Sequence, residues 1–261
     1  MIVLLYAITG VLAGFFAGLF GVGGGLIVVP ALLILFAIKG LDPGISTHLA
    51  IGTSLATIVI TSISSTFTHH QKRNVVWHIF KRYGVGLAIG AVIGAFVADI
   101  TPGPVLRTAF GLFAWVMAAQ LALGGNPKPT RQVPKTPGLL GVGVLVGWVS
   151  SLFGIGGGPL TVPYLIFHNV QTRMAVGTSA ACGLPIALAG AFGYLLVGLD
   201  AQNLPEYGLG YVYLPAFFAI VVLSVPMARL GAGVASRMDP VMLKRAFAVV
   251  LTINGTSLVF G

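Results

Sequence analysis

Charged side chains are scarce in this chain, at 7% of 261 residues, where soluble domains carry about 25%. So few charges cannot cover a water-facing surface, whereas lipid requires no charged cover. Apolar runs of about 20 residues recur along the sequence, each long enough to cross the hydrocarbon layer. The composition therefore predicts an all-α, polytopic integral membrane protein, and the apolar N-terminus reads as a retained membrane segment.

Cysteine and acidic residues are scarcer still. The single cysteine, Cys182, excludes an internal disulfide and a cysteine-rich metal centre. No carboxylate lies inside an apolar run, so carboxylate proton relays and buried cation sites are not expected. The sequence also lacks a nucleophile elbow, a Walker loop and a His pair with a carboxylate partner, so we expect no enzyme, no metal site and no cofactor. The five acids fall at loops or helix ends: Asp42, Asp99, Asp200, Glu206 and Asp239.

The basic residues give a net charge of +9 and are confined to short loops between apolar runs. That distribution orients membrane proteins, so we expect membrane lipids and no nucleic acid as partners. The basic loops at 72–82, 124–137 and 229–245 are predicted to be cytoplasmic. The 198–210 loop carries two acids and no base, and is predicted to lie outside.

The sequence repeats itself. Residues 19–30 read LFGVGGGLIVVP and residues 152–163 read LFGIGGGPLTVP, 133 positions later. Two further matches follow in the same order, which makes chance an inadequate explanation. They pair HLAIGTS at 48–54 with RMAVGTS at 173–179, and LRTAF at 106–110 with LKRAF at 243–247.

The repeat divides the chain into a first membrane unit at 1–123, a cytoplasmic linker at 124–137 and a second membrane unit at 138–261. Each unit is predicted to hold three spanning helices after a longer apolar stretch that a glycine cluster interrupts. The predicted spans are 46–68, 83–100, 105–123, 174–197, 211–228 and 241–260.

The loop charges require residues 138–168 to begin and end on the same membrane face. This predicts a re-entrant hairpin with the glycine cluster at its tip, and the repeat predicts the same for residues 2–38. The two units are then inverted relative to each other, a known plan of transporters. The alternative is one long, tilted and kinked helix over 138–168.

The glycine clusters are the first candidate site, at Gly23, Gly24 and Gly25 and at Gly156, Gly157 and Gly158. Each interior glycine costs a helix about 1 kcal/mol, so we expect a break, with a half-helix beginning at each cluster. Pro30 and Pro163 follow within those half-helices and are auxiliary candidates. A helix N-terminus carries free N–H groups and positive dipole charge, which favours a small anionic substrate. The alternative is that the glycines only permit tight helix packing.

Hydroxyl groups beside the clusters are the second candidate: Thr53, Ser54, Thr178 and Ser179 occupy equivalent positions in the two units. In lipid, such groups often bond only to their own helix or a neighbour. His48 and Arg173 share the repeat position one turn earlier. They are auxiliary candidates for attracting an anion at each mouth, or else interfacial anchors.

FGVGGGLIVVP, FGIGGGPLTVP and the two Gly-Thr-Ser elements resemble those of the TauE/SafE family of bacterial sulfite exporters, and the resemblance extends over nearly the whole chain. It implies a multi-pass protein of the bacterial cytoplasmic (inner) membrane that exports sulfite, sulfonates or related organosulfur anions. The residues by themselves indicate only a small anion.

The leading hypothesis is therefore a secondary transporter, an exporter of small anions such as sulfite or organosulfonates. A passive anion channel with the same site is the alternative within transport. An intramembrane enzyme and a non-transporting membrane subunit are the alternatives from other classes.

Overall fold

The computed structural model describes residues 2–20, 23–123, 133–134, 136–235 and 240–260. The described residues form ten helices and one short β-hairpin. The first half contains α1 (Ile2–Phe20), α2 (Gly25–Ile38), α3 (Pro43–Gln71), α4 (Trp77–Asp99) and α5 (Gly103–Leu123). The second half contains α6 (Thr136–Leu152), α7 (Gly158–Phe167), α8 (Thr172–Val197), β1 (Gly208–Leu209), β2 (Val212–Tyr213), α9 (Leu214–Ala235) and α10 (Pro240–Phe260).

The all-α membrane fold is confirmed, and each of the six predicted spans corresponds to one helix, namely α3, α4, α5, α8, α9 and α10. Helix α4 begins at Trp77 rather than near residue 83, because its basic first turns lack the apolar pattern that marked the predicted start. Most of the predicted linker lies outside the described residues, and α6 already begins at Thr136. The boundaries of the two units stay predictions.

Helices α3 and α8 form the centre of the fold. In the most apolar 18-residue segment of α3, 56% of the residues are buried, whereas only 22% are buried in the corresponding 18-residue segment of the outer helix α9. By length and composition, five helices are able to cross a bilayer: α3, α4, α5, α8 and the first 18 residues of α9. The outer helices present large apolar side chains on the protein surface, as lipid contact requires.

The two halves interlock through their first helices. Helix α1 packs along α9, and its repeat equivalent α6 packs along α4. A Cβ placed on Gly14 would lie 2.3 Å from the Ser224 carbonyl oxygen, and one on Gly147 would lie 2.1 Å from the Leu87 oxygen. The backbones therefore touch directly, as small residues permit in membrane helices. For these glycines, tight packing is the structural role.

Equivalent helices of the two halves run antiparallel. Along α3, Gly52, Leu55 and Ser62 lie beside Tyr194, Gly190 and Gly183 of α8, so the numbers rise in one helix as they fall in the other. An inverted repeat requires this relation between equivalent helices. The orientation of each half relative to the membrane faces stays a prediction.

Replacing Gly147 by leucine should lower the free energy of unfolding by about 1–3 kcal/mol or more, because the side chain must displace the α4 backbone. Gly141 lies on the same helix with no atom within 4 Å of its Cβ position, so Gly141→Leu is the matched control. Thermal melting of both variants in detergent measures the difference. Equal melting temperatures would contradict the direct backbone contact.

The membrane orientation is open to a thiol-labelling test, since the native Cys182 is fully buried and should not react. Lys72→Cys should react with a membrane-impermeant maleimide only after cells are permeabilised, because its basic loop is predicted to be cytoplasmic. Gln202→Cys, in the exposed 198–210 loop, should react in intact cells. If Gln202→Cys is protected and Lys72→Cys reacts in intact cells, the predicted orientation is wrong and the protein is inserted the other way round.

Candidate functional site

Each half contains a helical hairpin interrupted at its glycine cluster. Helix α6 ends at Leu152 and α7 begins at Gly158, so residues 138–168 do not form one continuous helix. The legs run antiparallel: Tyr83 touches both, through its backbone at Gly143 and its ring at Tyr164. In the first hairpin, the rings of Tyr6 and Phe36 from opposite legs both contact Tyr213.

The two hairpin tips meet each other. A Cβ on Gly25 would lie 2.2 Å from the Gly154 carbonyl oxygen, and one on Gly23 would lie 3.7 Å from the Cα of Gly156. Gly23 and Gly157 have positive φ angles of 67° and 75°, which glycine adopts without strain. The structure thus brings the two predicted glycine clusters together, and no side chain fits at Gly25 without separating them.

Free amides are present at the second tip. Among the described residues, the N–H groups of Gly156, Gly157 and Gly158 donate to no acceptor, and they lie at the N-terminus of α7. Pro159 occupies the first turn of that helix, where its missing N–H costs nothing. In the first cluster, the Gly25 N–H donates to the Gly23 carbonyl at 2.7 Å. The N–H groups of Gly23 and Gly24 donate to no described acceptor either, so free amides are present at both tips.

Pro30 is the sixth residue of α2. Proline cannot donate to the carbonyl four residues earlier, which leaves the Leu26 oxygen without its helical partner. The Asn254 side-chain amide of α10 donates to that oxygen at 3.3 Å. Asn254, 228 residues away in sequence, thus supplies the hydrogen bond that α2 lacks behind the first tip. Pro163 holds the equivalent position in α7.

A cavity of about 110 Å³ opens beside the tips. It is walled by α1, α3, α8 and α9, with Gly23 and Gly156 at its inner end. Its outer end has Arg229 and His69, next to the basic loops. No Asp or Glu is among the lining residues that the structure describes. The lining residues are Ala17, Gly18, Gly23, Thr61, Ser62, Ser64, Ser65, Thr68, His69, Gly156, Ser179, Ala180, Val225, Ala228 and Arg229.

A row of hydroxyls on α3 forms the polar wall, and the sequence reasoning missed it. Thr61 and Thr68 bond to their own helix, through Thr57 O and Ser64 O. Ser62, Ser64 and Ser65 donate to no other described residue, so their hydroxyls are available to a solute in the cavity. A signal was present, because Ser and Thr recur at three- and four-residue spacing from residue 54 to residue 68.

The four predicted hydroxyls separate into two groups. Thr53 accepts from the Tyr213 N–H and Thr178 from the Val76 N–H, both at 2.9 Å, so each holds the loop that precedes a helix of the opposite half. Ser54 donates to the Gly154 carbonyl at 2.8 Å and fixes the second tip. Only Ser179 lines the cavity; it is 1% exposed, and its hydroxyl has no partner among the described residues.

The two auxiliary residues, His48 and Arg173, occupy different environments. His48 is 4% exposed, and its Nε2 lies 2.9 Å from Ala98 O and 3.1 Å from Thr101 O. Its ring stacks on Tyr211. These contacts connect α3 to the end of α4 and to the β-hairpin, so His48 has a structural role between elements. Arg173 is exposed at the start of α8, and neither residue lines the cavity.

The profile of the family described as "Sulfite exporter TauE/SafE" matches residues 6–258. The chain belongs to the TauE/SafE family. A Haemophilus influenzae relative, described as "Probable membrane transporter protein", is 35% identical and aligns over 96% of each chain. Similarly described relatives include one from Methanocaldococcus jannaschii, 28% identical over 96% of this chain and 93% of its own, and Bacillus subtilis YdhB, 29% identical over 100% of both.

Family membership and the five apolar helices make this chain a multi-pass membrane transporter, consistent with the bacterial inner membrane. The glycine clusters and the cavity both lie inside the region that the TauE/SafE profile matches. No solved structure matches the chain significantly.

Neighbouring residues Thr178 and Ser179 should respond differently to loss of the hydroxyl. Thr178→Val leaves the Val76 N–H unpaired and should cost about 1–3 kcal/mol of stability. Ser179→Ala removes an unpaired hydroxyl and should leave the melting temperature unchanged or higher. Thermal unfolding of the two variants in detergent measures this contrast, and a large loss of stability in Ser179→Ala would contradict the assignment of Ser179 to the cavity.

Proposed function

We propose that this protein is a secondary transporter that carries small oxyanions, sulfite or organosulfonates, out of the cytoplasm. The observation that carries the proposal is the cavity lining, which combines hydroxyls with Arg229 and His69 and contains no carboxylate among the described residues. The cavity ends at two helix N-termini, where glycine exposes backbone amides.

The binding chemistry relies on neutral donors. Gly156 and Ser179 line the inner end of the cavity, and the free amides of Gly157 and Gly158 follow directly along the chain. In this proposal these donors replace the hydration of an oxyanion. The dipole at a helix N-terminus adds about 0.3–1 kcal/mol, and up to about 2 kcal/mol where the site is partly buried. Without a buried lysine or arginine at the tips, the anion is held weakly enough to leave, as transport requires.

The remaining predicted residues have supporting roles in this proposal. Gly23, Gly24 and Gly25 supply the first tip, and the close contact at Gly25 positions it against the second. Thr53, Ser54 and Thr178 fix backbone around the site through their hydrogen bonds. The family name, the antiparallel relation of α3 and α8, and the relatives described as transporters support a transporter built from inverted repeats.

The loop charges support a cytoplasmic opening of the cavity, which the proposed export requires. The cavity mouth lies beside Arg229 and the basic loops, which the charge distribution assigns to the cytoplasm. An anion from the cytoplasm meets Arg229 first, then the hydroxyls of α3, and then the amides at the tips. In the proposed export cycle, the described structure is the conformation in which the anion loads.

Purified protein in liposomes should move radiolabelled sulfite or an alkylsulfonate and not sodium. Gly157→Leu should abolish this movement, because Ile186 already lies 2.6 Å from the Cβ position of Gly157 and the new side chain would displace the second tip with its amides. Ser179→Ala should lower the transport rate without changing the stability of the protein. It therefore tests the site even if Gly157→Leu fails to fold.

Gly141→Leu, which faces open space, is the control and should transport normally. The rate per protein molecule distinguishes a transporter from a passive channel, because channel flux should greatly exceed alternating-access turnover. Movement of a cation but of no anion in the panel would overturn the proposal.

A further inference from the structure

The side of the tips opposite the cavity is closed by large apolar side chains. Repeat positions in α3 and α8 differ by 125 residues, so Ile186 corresponds to Thr61 and Leu55 corresponds to Ala180. Thr61 and Ala180 line the open cavity. On the closed side, Ile186 Cδ1 lies 2.6 Å from the Cβ position of Gly157, and Leu55 Cδ1 lies 2.9 Å from that of Gly190.

Two hydroxyls are enclosed on this closed side. Ser150 and Ser151 are both 0% exposed, and neither hydroxyl has a hydrogen-bond partner within the described residues. The Ser150 hydroxyl lies 3.5 Å from the Cβ position of Gly157, and that of Ser151 lies 3.1 Å from that of Gly190. A buried hydroxyl without a partner destabilises a fold, so neither serine stabilises this conformation.

Their repeat positions relate these serines to the open cavity. Across the 133-residue offset of the hairpins, Ser150 corresponds to Ala17 and Ser151 to Gly18, and both of these residues line the cavity. The same wall of the hairpin is thus open in the first half and enclosed in the second. The enclosed wall leads from Gly157 along α8 past Gly190 and Tyr194 to the 198–210 loop, on the side away from Arg229.

We propose that Ser150 and Ser151 bind the transported oxyanion on its way to the side of the 198–210 loop, in a conformation in which Leu55 and Ile186 withdraw from the second hairpin. This inference rests on the proposed function and extends it to a second set of ligands. A hydroxyl donates one hydrogen bond to an oxyanion. An anion at the second tip is then contacted from both sides, by Ser179 of α8 towards the cavity and by Ser150 of α6 towards the exit.

The transport test uses Ser150→Ala, Ser151→Ala and the double variant in proteoliposomes loaded with labelled sulfite. The double variant should move sulfite at least tenfold more slowly than the wild type. Its melting temperature should stay the same or rise, because two unpaired buried hydroxyls are removed. Thr108→Ala, an exposed hydroxyl on α5, is the control and should transport at the wild-type rate.

The accessibility test places cysteines at the equivalent positions. Ala17→Cys should react with an impermeant thiol reagent from the Arg229 side, and Ser151→Cys from the side of the 198–210 loop. Leu55→Ala combined with Ile186→Thr, which copies the open side, should raise the labelling rate of Ser151→Cys at least fivefold.

The possible outcomes distinguish this inference from the proposed function. A wild-type protein that moves no anion ends both. A wild-type protein that moves sulfite, with a double serine variant of equal rate, overturns the inference alone. Labelling of Ser151→Cys only from the Arg229 side also overturns it, since the exit would then not pass this wall.

Discussion

Lipid offers no hydrogen bonds to the backbone, and this constraint governs the molecule. A membrane helix can be broken only where protein or a wet cavity receives the freed groups. Here each break is covered by the other: Gly25 packs on the Gly154 carbonyl, and Ser54 donates to the same oxygen. Pro30 frees a further carbonyl, which Asn254 pairs from the opposite half. Among the described residues, amides at both tips stay unpaired beside the cavity, which Gly23 and Gly156 line.

Side chains of each half form hydrogen bonds with the backbone of the other half. Thr53 holds the loop before α9, and Thr178 holds the loop before α4. The same exchange occurs in the helix contacts, where α1 packs on α9 and α6 on α4. A duplicated sequence therefore yields a single interlocked core, while differences such as Thr61 against Ile186 make one side of the tips open and the other closed.

Local chemistry made the helices and the hairpins predictable. The length of the apolar runs gives the spans. Four glycines within five positions do not remain helical, so the breaks at Gly24 and Gly157 were predictable. The roles of Thr53 and Thr178 did not, because their partners Tyr213 and Val76 lie 160 and 102 residues away. The α3 hydroxyls were missed since only tertiary packing decides which of them bond to their own helix and which face a cavity.

The exchange of first helices has a consequence for biosynthesis. The ribosome releases α1 long before α9, because Gly14 precedes its contact Ser224 by 210 residues. Membrane domains emerge from the N-terminus onward, so α1 must wait in the bilayer with its glycine face against lipid or a chaperone until nearly the whole chain has been inserted. Until then, only the hydrophobic effect retains α1 in the membrane. All of its residues are apolar or glycine, apart from Thr9 and Tyr6.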